Sequence, residues 1–171
     1  YRHGVDMVAK PFSIGVRIEH PQGVIDRARW GQHAGHPLLG AADYKLVHHA
    51  QHGEGAGRTV YSFCMCPGGT VVAAASERGG VVTNGMSQYS RNDRNANAGL
   101  VVAISPEDYP GGPLAGIEFQ RQWERRAFEL GGGDYSAPGQ RVGDFLARRP
   151  STEFGSVLPS YTPGVRLGEI D

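Results

Sequence analysis

The sequence is poor in cysteine, has no long apolar run and carries no excess of charge of either sign. Its 171 residues include two cysteines, too few for the disulfide framework of a small secreted domain, so we expect a reducing, cytoplasmic location. No segment approaches the ~20 apolar residues of a membrane-spanning helix, so we expect no membrane partner. The 17 basic and 17 acidic residues cancel and form no basic block, which gives no support to a nucleic-acid partner.

Glycine, by contrast, is abundant, with 26 residues beside a hydrophobic share of 39%. This composition is typical of a turn-rich domain that contains β-structure. The length is sufficient for one hydrophobic core, so we expect a single domain over residues 1–171. The chain begins with Tyr and ends in a segment interrupted by Pro and Gly. We therefore expect it to be a fragment of a longer protein.

Hydrophobic periodicity predicts an α+β fold, mainly an antiparallel sheet with one long packed helix and long loops. The long helix spans residues 114–130, and shorter helices are predicted at 23–30 and 142–148. A polar loop over residues 85–97 is long enough to be functional. Three consecutive strands, 59–65, 70–75 and 80–84, are expected to form a meander joined by hairpins. The full set of predicted strands is 12–19, 43–49, 59–65, 70–75, 80–84 and 99–105.

Both cysteines lie at the end of one predicted strand, just before the turn Pro67-Gly68-Gly69. Side chains alternate between the faces of a strand, so Cys64 and Cys66 are predicted to share a face, with Met65 opposite. Turns beside a rigid sheet often carry functional groups. The pattern therefore indicates a candidate site at this turn.

Several motifs in one order resemble a known family. They are found at 10–22, 39–46, 61–69, 82–87, 94–97, 116–121 and 142–146. Together they resemble the bacterial family of FAD-dependent dehydrogenase-like proteins (NAD(FAD)-utilising dehydrogenase-like). The similarity extends over nearly the whole chain.

The resemblance implies a parent protein in which a Rossmann-type domain binds FAD and a second domain is inserted within it. The sequence lacks the Gly-x-Gly-x-x-Gly fingerprint between a strand and a helix, so it resembles the inserted substrate domain alone. This implies one wall of a pocket over the flavin, for an unknown small-molecule substrate. The partner would be the rest of the parent chain, which would bind most of the FAD, and NAD(P)H is a possible electron partner. We expect the isolated chain not to be catalytic.

Three residues are candidates for catalysis: His20, Cys64 and Cys66. His20 follows the first predicted strand and could act as an acid or base near neutral pH, or it could cap the strand end by hydrogen bonds. The cysteines could form a thiol pair that exchanges electrons with a flavin. The alternative is that both are small buried strand residues, because reactivity depends on thiolate stabilisation that the sequence does not show.

Further candidates could face the substrate or the cofactor. Arg17 and Lys45 could bind an anionic group, or they could point to solvent from the sheet. Tyr61 could stack on a ring. The polar loop contributes Arg94, Asn95 and Asn97, either as a pocket lip or as a solvated connection. No metal site is predicted, because the run His48-His49-x-x-His52 crosses from a strand end into a glycine-rich loop without rigid geometry.

A different class of function stays open, in which the domain is a non-catalytic binding or interaction module of a flavin-containing protein. The two interpretations differ in where the candidate residues lie. Convergence of Cys64, His20, Arg17 and the loop 84–97 on one concave face favours an enzyme. Scattered candidates beside an exposed apolar patch favour a binding module.

Overall fold

The structure, a computed structural model, describes residues 3–155, 157–161 and 163–165. Its helices are α1 (Gln22–Trp30), α2 (Ala115–Leu130) and α3 (Val142–Leu146), with short 3-10 turns at Gly31–His33 and Pro106–Asp108. Its strands are β1 (Phe12–Pro21), β2 (Val47–His49), β3 (Thr59–Cys66), β4 (Gly69–Ala74), β5 (Val82–Ser87), β6 (Asn95–Ile104), β7 (Ala137–Gly139) and β8 (Pro163–Val165).

The main sheet is antiparallel and has the strand order β1-β6-β3-β2. Its longest ladder joins β1 to β6, from Phe12 opposite Ile104 to Pro21 opposite Asn95. The first half of β6 is fully buried, and the small side chains of Ala96 and Ala98 allow this close packing. The predicted α+β fold with mainly antiparallel pairing is confirmed.

The predicted meander of three consecutive strands is wrong in its pairing. β4 and β5 form a separate two-stranded sheet, while β3 pairs with β2 and β6. The reason lies in the turn between β3 and β4, which is buried rather than exposed as in a simple hairpin. Gly68 has φ +47, and a Cβ there would lie 1.9 Å from the Arg91 carbonyl oxygen. Its N–H donates to Gln22 Oε1 at 2.7 Å, so α1 and the loop after β5 hold this turn and divert the chain out of the sheet.

Three strands also have bounds that differ clearly from the prediction. The strand predicted at 80–84 is β5, Val82–Ser87, so Gly85 belongs to a strand and not to the predicted loop 85–97. The strand predicted at 43–49 is confined to Val47–His49. The strand predicted at 99–105 begins at Asn95, four residues earlier, because the polar residues there pair with the end of β1. Asn95 and Asn97 are therefore sheet residues and not members of a loop.

Helix α2 packs through an aromatic cluster. Its Phe119 ring lies 6.3 Å from the Phe12 ring and 5.9 Å from the Tyr109 ring, and Trp123 extends the cluster at 6.1 Å from Phe119. Gly116 makes the approach possible, because a Cβ there would lie 3.0 Å from the Phe12 ring. The predicted long helix is thus confirmed, with its aromatic stripe against the start of β1. Among the described residues, every helix is too short or too polar to span a bilayer.

Candidate functional site

Side chains from three strands of the main sheet meet on one face. Arg17 of β1 donates from Nη1 to Asn97 Oδ1 at 2.6 Å and to the Cys64 carbonyl oxygen at 3.3 Å. Cys66 of β3 lies directly opposite Asn97 of β6. The Arg17 cluster, as we name it, consists of Arg17, Cys64, Cys66, Gly85 and Asn97.

Gly85 of β5 closes the cluster from the second sheet. A Cβ built at Gly85 would lie 2.3 Å from both Arg17 Nη1 and Asn97 Oδ1, and 2.7 Å from Cys66 Sγ. A glycine within a strand often marks such a close approach. The glycine is therefore required for the guanidinium, the amide and the thiol to meet here.

The Asn97 amide has a fixed orientation and a spare donor. Asn97 is 0% exposed, and its Oδ1 must accept from Arg17 because a guanidinium can only donate. Among the described residues Nδ2 then has no hydrogen-bond partner. A buried unsatisfied donor costs about 1–3 kcal/mol, so the hydrogen bond to Arg17 is kept at the expense of an unsatisfied N–H group.

The backbone of β3 is irregular at Cys64. The pairing with β6 shifts register between Phe63 and Cys66, and Cys64 has φ +45, a conformation uncommon for residues other than glycine. Phe63 pairs with Gly99 and Cys66 with Asn97, so Cys66 falls on the face of Phe63. The simple alternation that predicted a shared face for the two cysteines therefore does not hold. Cys64 is exposed at this β-bulge and Cys66 is half-buried.

His20 lies apart from the Arg17 cluster. It is three residues along β1 from Arg17, hence on the opposite face of an uninterrupted strand. Its Nε2 is 2.9 Å from the Tyr44 hydroxyl, and its buried Nδ1 has no partner among the described residues. Burial lowers the pKa of His20 and raises the pKa of Tyr44, an effect that the charge of Arg17 partly opposes.

Arg94 and Asn95 hold the segment 157–161 against the sheet. Arg94 Nη2 donates to the Leu158 carbonyl oxygen at 2.8 Å. Asn95 Nδ2 donates to Glu19 Oε1 at 2.8 Å, and the same carboxylate accepts from the Ser160 N–H at 3.1 Å. These contacts give both predicted site residues a bracing position, separate from the Arg17 cluster.

The two remaining candidates differ in position. Lys45 is exposed, just before β2. Tyr61 is half-buried on β3, and its hydroxyl lies 2.5 Å from Ser13 Oγ of β1. Tyr61 and Arg17 therefore belong to the same face of the sheet, whereas Lys45 points to solvent. Within the described ranges there is no group of three or more His, Cys, Asp or Glu side chains that could hold a metal ion.

Two positions that shape the site are absent from the sequence-based predictions. One is Gly85, which the sequence pattern assigns to the polar loop 85–97. A glycine within a strand is a signal of close approach, and this signal is present only because β5 extends to Ser87. The other is Gln22, which is buried and bonds Asp26, the Ala42 carbonyl and the Gly68 N–H. Nothing in its local sequence distinguishes Gln22 from an exposed residue at the start of a helix.

The described residues form an α+β domain, and comparison with known proteins identifies the family to which this domain belongs. Residues 11–171 match the family described as "FAD-dependent protein, C-terminal domain-like", and the chain belongs to this family. The expected kinship with FAD-dependent proteins is confirmed. The chain is also 56% identical over 171 residues to an uncharacterised protein of Clostridium beijerinckii (strain ATCC 51743 / NCIMB 8052). The match covers 99% of this chain and 32% of that protein, so the chain spans about a third of the relative's length.

Proposed function

We propose that this chain is the substrate-side domain of an FAD-dependent oxidoreductase, and that the Arg17 cluster faces the flavin pocket of the parent protein. The observation that carries the proposal is the half-buried guanidinium of Arg17, which the buried side chain of Asn97 holds through a 2.6 Å hydrogen bond. Together they form a donor-rich position at the meeting of two sheets. The family to which the chain belongs supplies the flavin context.

The chemistry of these donors fits the ring end of FAD or a substrate bound against it. The isoalloxazine ring presents carbonyl oxygens and ring nitrogens as acceptors, and a substrate carboxylate would suit the guanidinium of Arg17. The diphosphate of FAD needs a glycine-rich turn at a helix N-terminus, and the sequence lacks that fingerprint. The rest of the parent would therefore hold most of the cofactor, and the isolated chain would not be catalytic.

The residues of the chain then take different roles. Arg17 would bind and orient an acceptor or anionic group, and Asn97 would fix the guanidinium through their 2.6 Å hydrogen bond. Cys64 would present an exposed thiol at the edge of the same cluster. His20, on the other face, is placed to hold Tyr44 rather than to reach the same ligand.

The visible spectrum of the full-length parent tests this proposal. The protein is purified aerobically, and its spectrum is recorded before and after anaerobic addition of NADH or NADPH. Flavin absorbance that bleaches is the expected result and identifies a redox-competent flavoprotein. Flavin that stays oxidised with both nucleotides excludes nicotinamide as the electron donor, and dithionite then tests redox competence. A colourless parent that cannot be reconstituted with FAD contradicts the proposal.

A second candidate function, a non-catalytic interaction module, is favoured by the apolar side chains near the Arg17 cluster. Phe63 is 57% exposed, Met86 is 58% exposed and Tyr89 at the following loop is fully exposed. An interdomain surface of the parent would expose the same residues in the isolated chain. The spectrum separates the two candidates, because a parent that holds no redox-active flavin favours the interaction module.

A further inference from the structure

We propose that Cys64 and Cys66 form a thiol–disulfide pair that exchanges two electrons with the flavin of the parent protein. The inference rests on the proposed function, because the flavin is the electron partner. It goes further by assigning a redox couple to this chain itself. Three features of the structure support it: the compressed backbone, the unequal exposure of the thiols and the donors around them.

The β-bulge shortens the path between the two cysteines. In a regular strand, residues two apart are held near full extension, which places a Cys-x-Cys pair poorly for an S–S bond. In β3, however, Phe63 pairs with Gly99 and Cys66 pairs with Asn97. Three residue spacings of β3 therefore lie opposite two residue spacings of β6. The extra residue is therefore accommodated by bending β3 at the cysteines.

The Cys66 thiol already points back towards Cys64. Its Sγ lies 3.4 Å from the Cys64 carbonyl oxygen, to which it donates. Cys64 is exposed and Cys66 is half-buried. This asymmetry suits a pair in which the exposed thiol reacts with an incoming group and the inner thiol resolves the product.

The Arg17 cluster holds the backbone at Cys64 in place and brings the positive charge of Arg17 close to Cys66. Arg17 Nη1 donates to the same Cys64 carbonyl oxygen at 3.3 Å, which fixes the left-handed backbone of Cys64. A Cβ built at Gly85 would lie 2.7 Å from Cys66 Sγ and 2.3 Å from Arg17 Nη1. The guanidinium therefore lies next to the sulfur of Cys66, where the absence of a side chain at Gly85 leaves room for both groups.

The flavin accepts the electrons that the two thiols lose. When the pair is oxidised, the two S–H bonds break and one S–S bond forms between Cys64 and Cys66. Two electrons and one proton pass to the oxidised flavin of the parent, and the second proton passes to solvent. In the reverse direction, the disulfide takes two electrons from reduced flavin and two protons restore the thiols.

Peptide mass analysis of the full-length parent tests the pair directly. Trypsin cleavage after Arg58 and Arg78 releases both cysteines in one peptide, Thr59–Arg78. The parent is incubated with oxidised glutathione, alkylated under denaturing conditions and digested. We expect this peptide to be unalkylated and lighter than the dithiol by two hydrogen atoms. After prior reduction with dithiothreitol, both cysteines should be alkylated.

Two serine variants extend the test to the flavin. Anaerobic reductive titration of the wild-type parent should consume two more electrons per flavin than the Cys64→Ser or the Cys66→Ser variant at equal FAD content. A variant that fails to fold does not remove the test, because the peptide analysis uses the wild-type protein.

The outcomes separate this inference from the proposed function. A peptide that remains doubly alkylated after oxidation, in a parent that binds and reduces its flavin normally, overturns the cysteine pair and leaves the flavoprotein assignment intact. A stable glutathione adduct on Cys64 with free Cys66 also overturns it. A disulfide in a parent without flavin refutes electron exchange with a flavin and, with it, the proposed function.

Discussion

At the scale of single residues, the absence of a side chain at Gly85 lets three others meet. The Arg17 guanidinium, the Asn97 amide and the Cys66 thiol occupy the space that a Cβ would take. The Asn97 amide cannot rotate to satisfy Nδ2 without losing its bond to Arg17. The cluster therefore keeps an unsatisfied donor because a more favourable bond fixes the amide.

The substitution Gly85→Ala should destabilise the protein by about 1–3 kcal/mol, because the added methyl group overpacks the cluster. Urea unfolding measures the change in the free energy of unfolding. Gly143→Ala is the matched control, since a Cβ at Gly143 meets nothing within 4 Å and alanine favours the helix α3 by up to about 1 kcal/mol. Equal stability of the two variants would refute the close packing at Gly85.

His20 should make stability depend on pH just below about 6.5, the ordinary pKa of an unfolded histidine. Burial lowers the pKa of His20 in the folded state, so the unfolded chain binds more protons in this range. The stabilisation is complete above the unfolded value of about 6.5 and is lost as the pH falls through the folded value. Hydrogen bonds from Arg58 and Arg121 lower the pKa of Asp108 and Glu77, so these carboxylates titrate below this window.

Thermal unfolding of His20→Gln across this pH range checks the effect. As the pH falls, the unfolding temperature of His20→Gln should decrease less than that of the wild type, because the variant has no imidazole to protonate at this position. Tyr44→Phe should keep it, because burial is the main cause of the shift and the hydrogen bond to the Tyr44 hydroxyl is removed without exposing the ring. An identical pH slope in the wild type and His20→Gln would rule out the buried neutral imidazole.

At the scale of elements, local patterns predict where strands and helices occur but not which strands pair. The apolar spacing of α2 and the sequence pattern of β1 depend on neighbouring residues alone, and both elements lie close to their predicted bounds. The pairing of β3 with β6 depends on the buried turn at Gly68, which distant residues hold. The bulge at Cys64 likewise depends on Arg17, 47 residues away, so local alternation could not predict it.

The aromatic cluster that fixes α2 should be more important for stability than an exposed ring of the same type. Phe119 contacts the rings of Phe12, Tyr109 and Trp123, so Phe119→Ala should cost about 2–4 kcal/mol. Phe145 in α3 is 54% exposed, and Phe145→Ala should cost less than about 1 kcal/mol. The difference in urea midpoint between the two variants measures this, and a larger loss for Phe145→Ala would contradict the packing of α2.

At the scale of the whole molecule, the chain spans about a third of its relative from Clostridium beijerinckii. The sequence motifs predict a family of FAD-dependent proteins, and the family comparison confirms this prediction. The arrangement of hydrogen-bond donors in the Arg17 cluster could not be predicted in this way, because it depends on contacts between strands far apart in sequence. Of the residues predicted for the site, Arg17, Cys66 and Asn97 bring their side chains together. Cys64 joins them through its backbone carbonyl oxygen, and Tyr61 lies on the face of Arg17. Arg94 and Asn95 brace a later segment instead. The central claim is that the face with Arg17 lies against the flavin of the parent.

The most direct measurement is the flavin midpoint potential of the full-length parent and its Arg17→Met variant. A cation beside the ring favours the more negative reduced flavin, so its removal should lower the potential. The exposed Arg78→Met is the charge-matched control, because Arg78 lies outside the Arg17 cluster, and it should leave the potential unchanged. A lower potential for Arg17→Met alone is the predicted result. Equal potentials for the wild type and Arg17→Met, at equal FAD content, would contradict the claim.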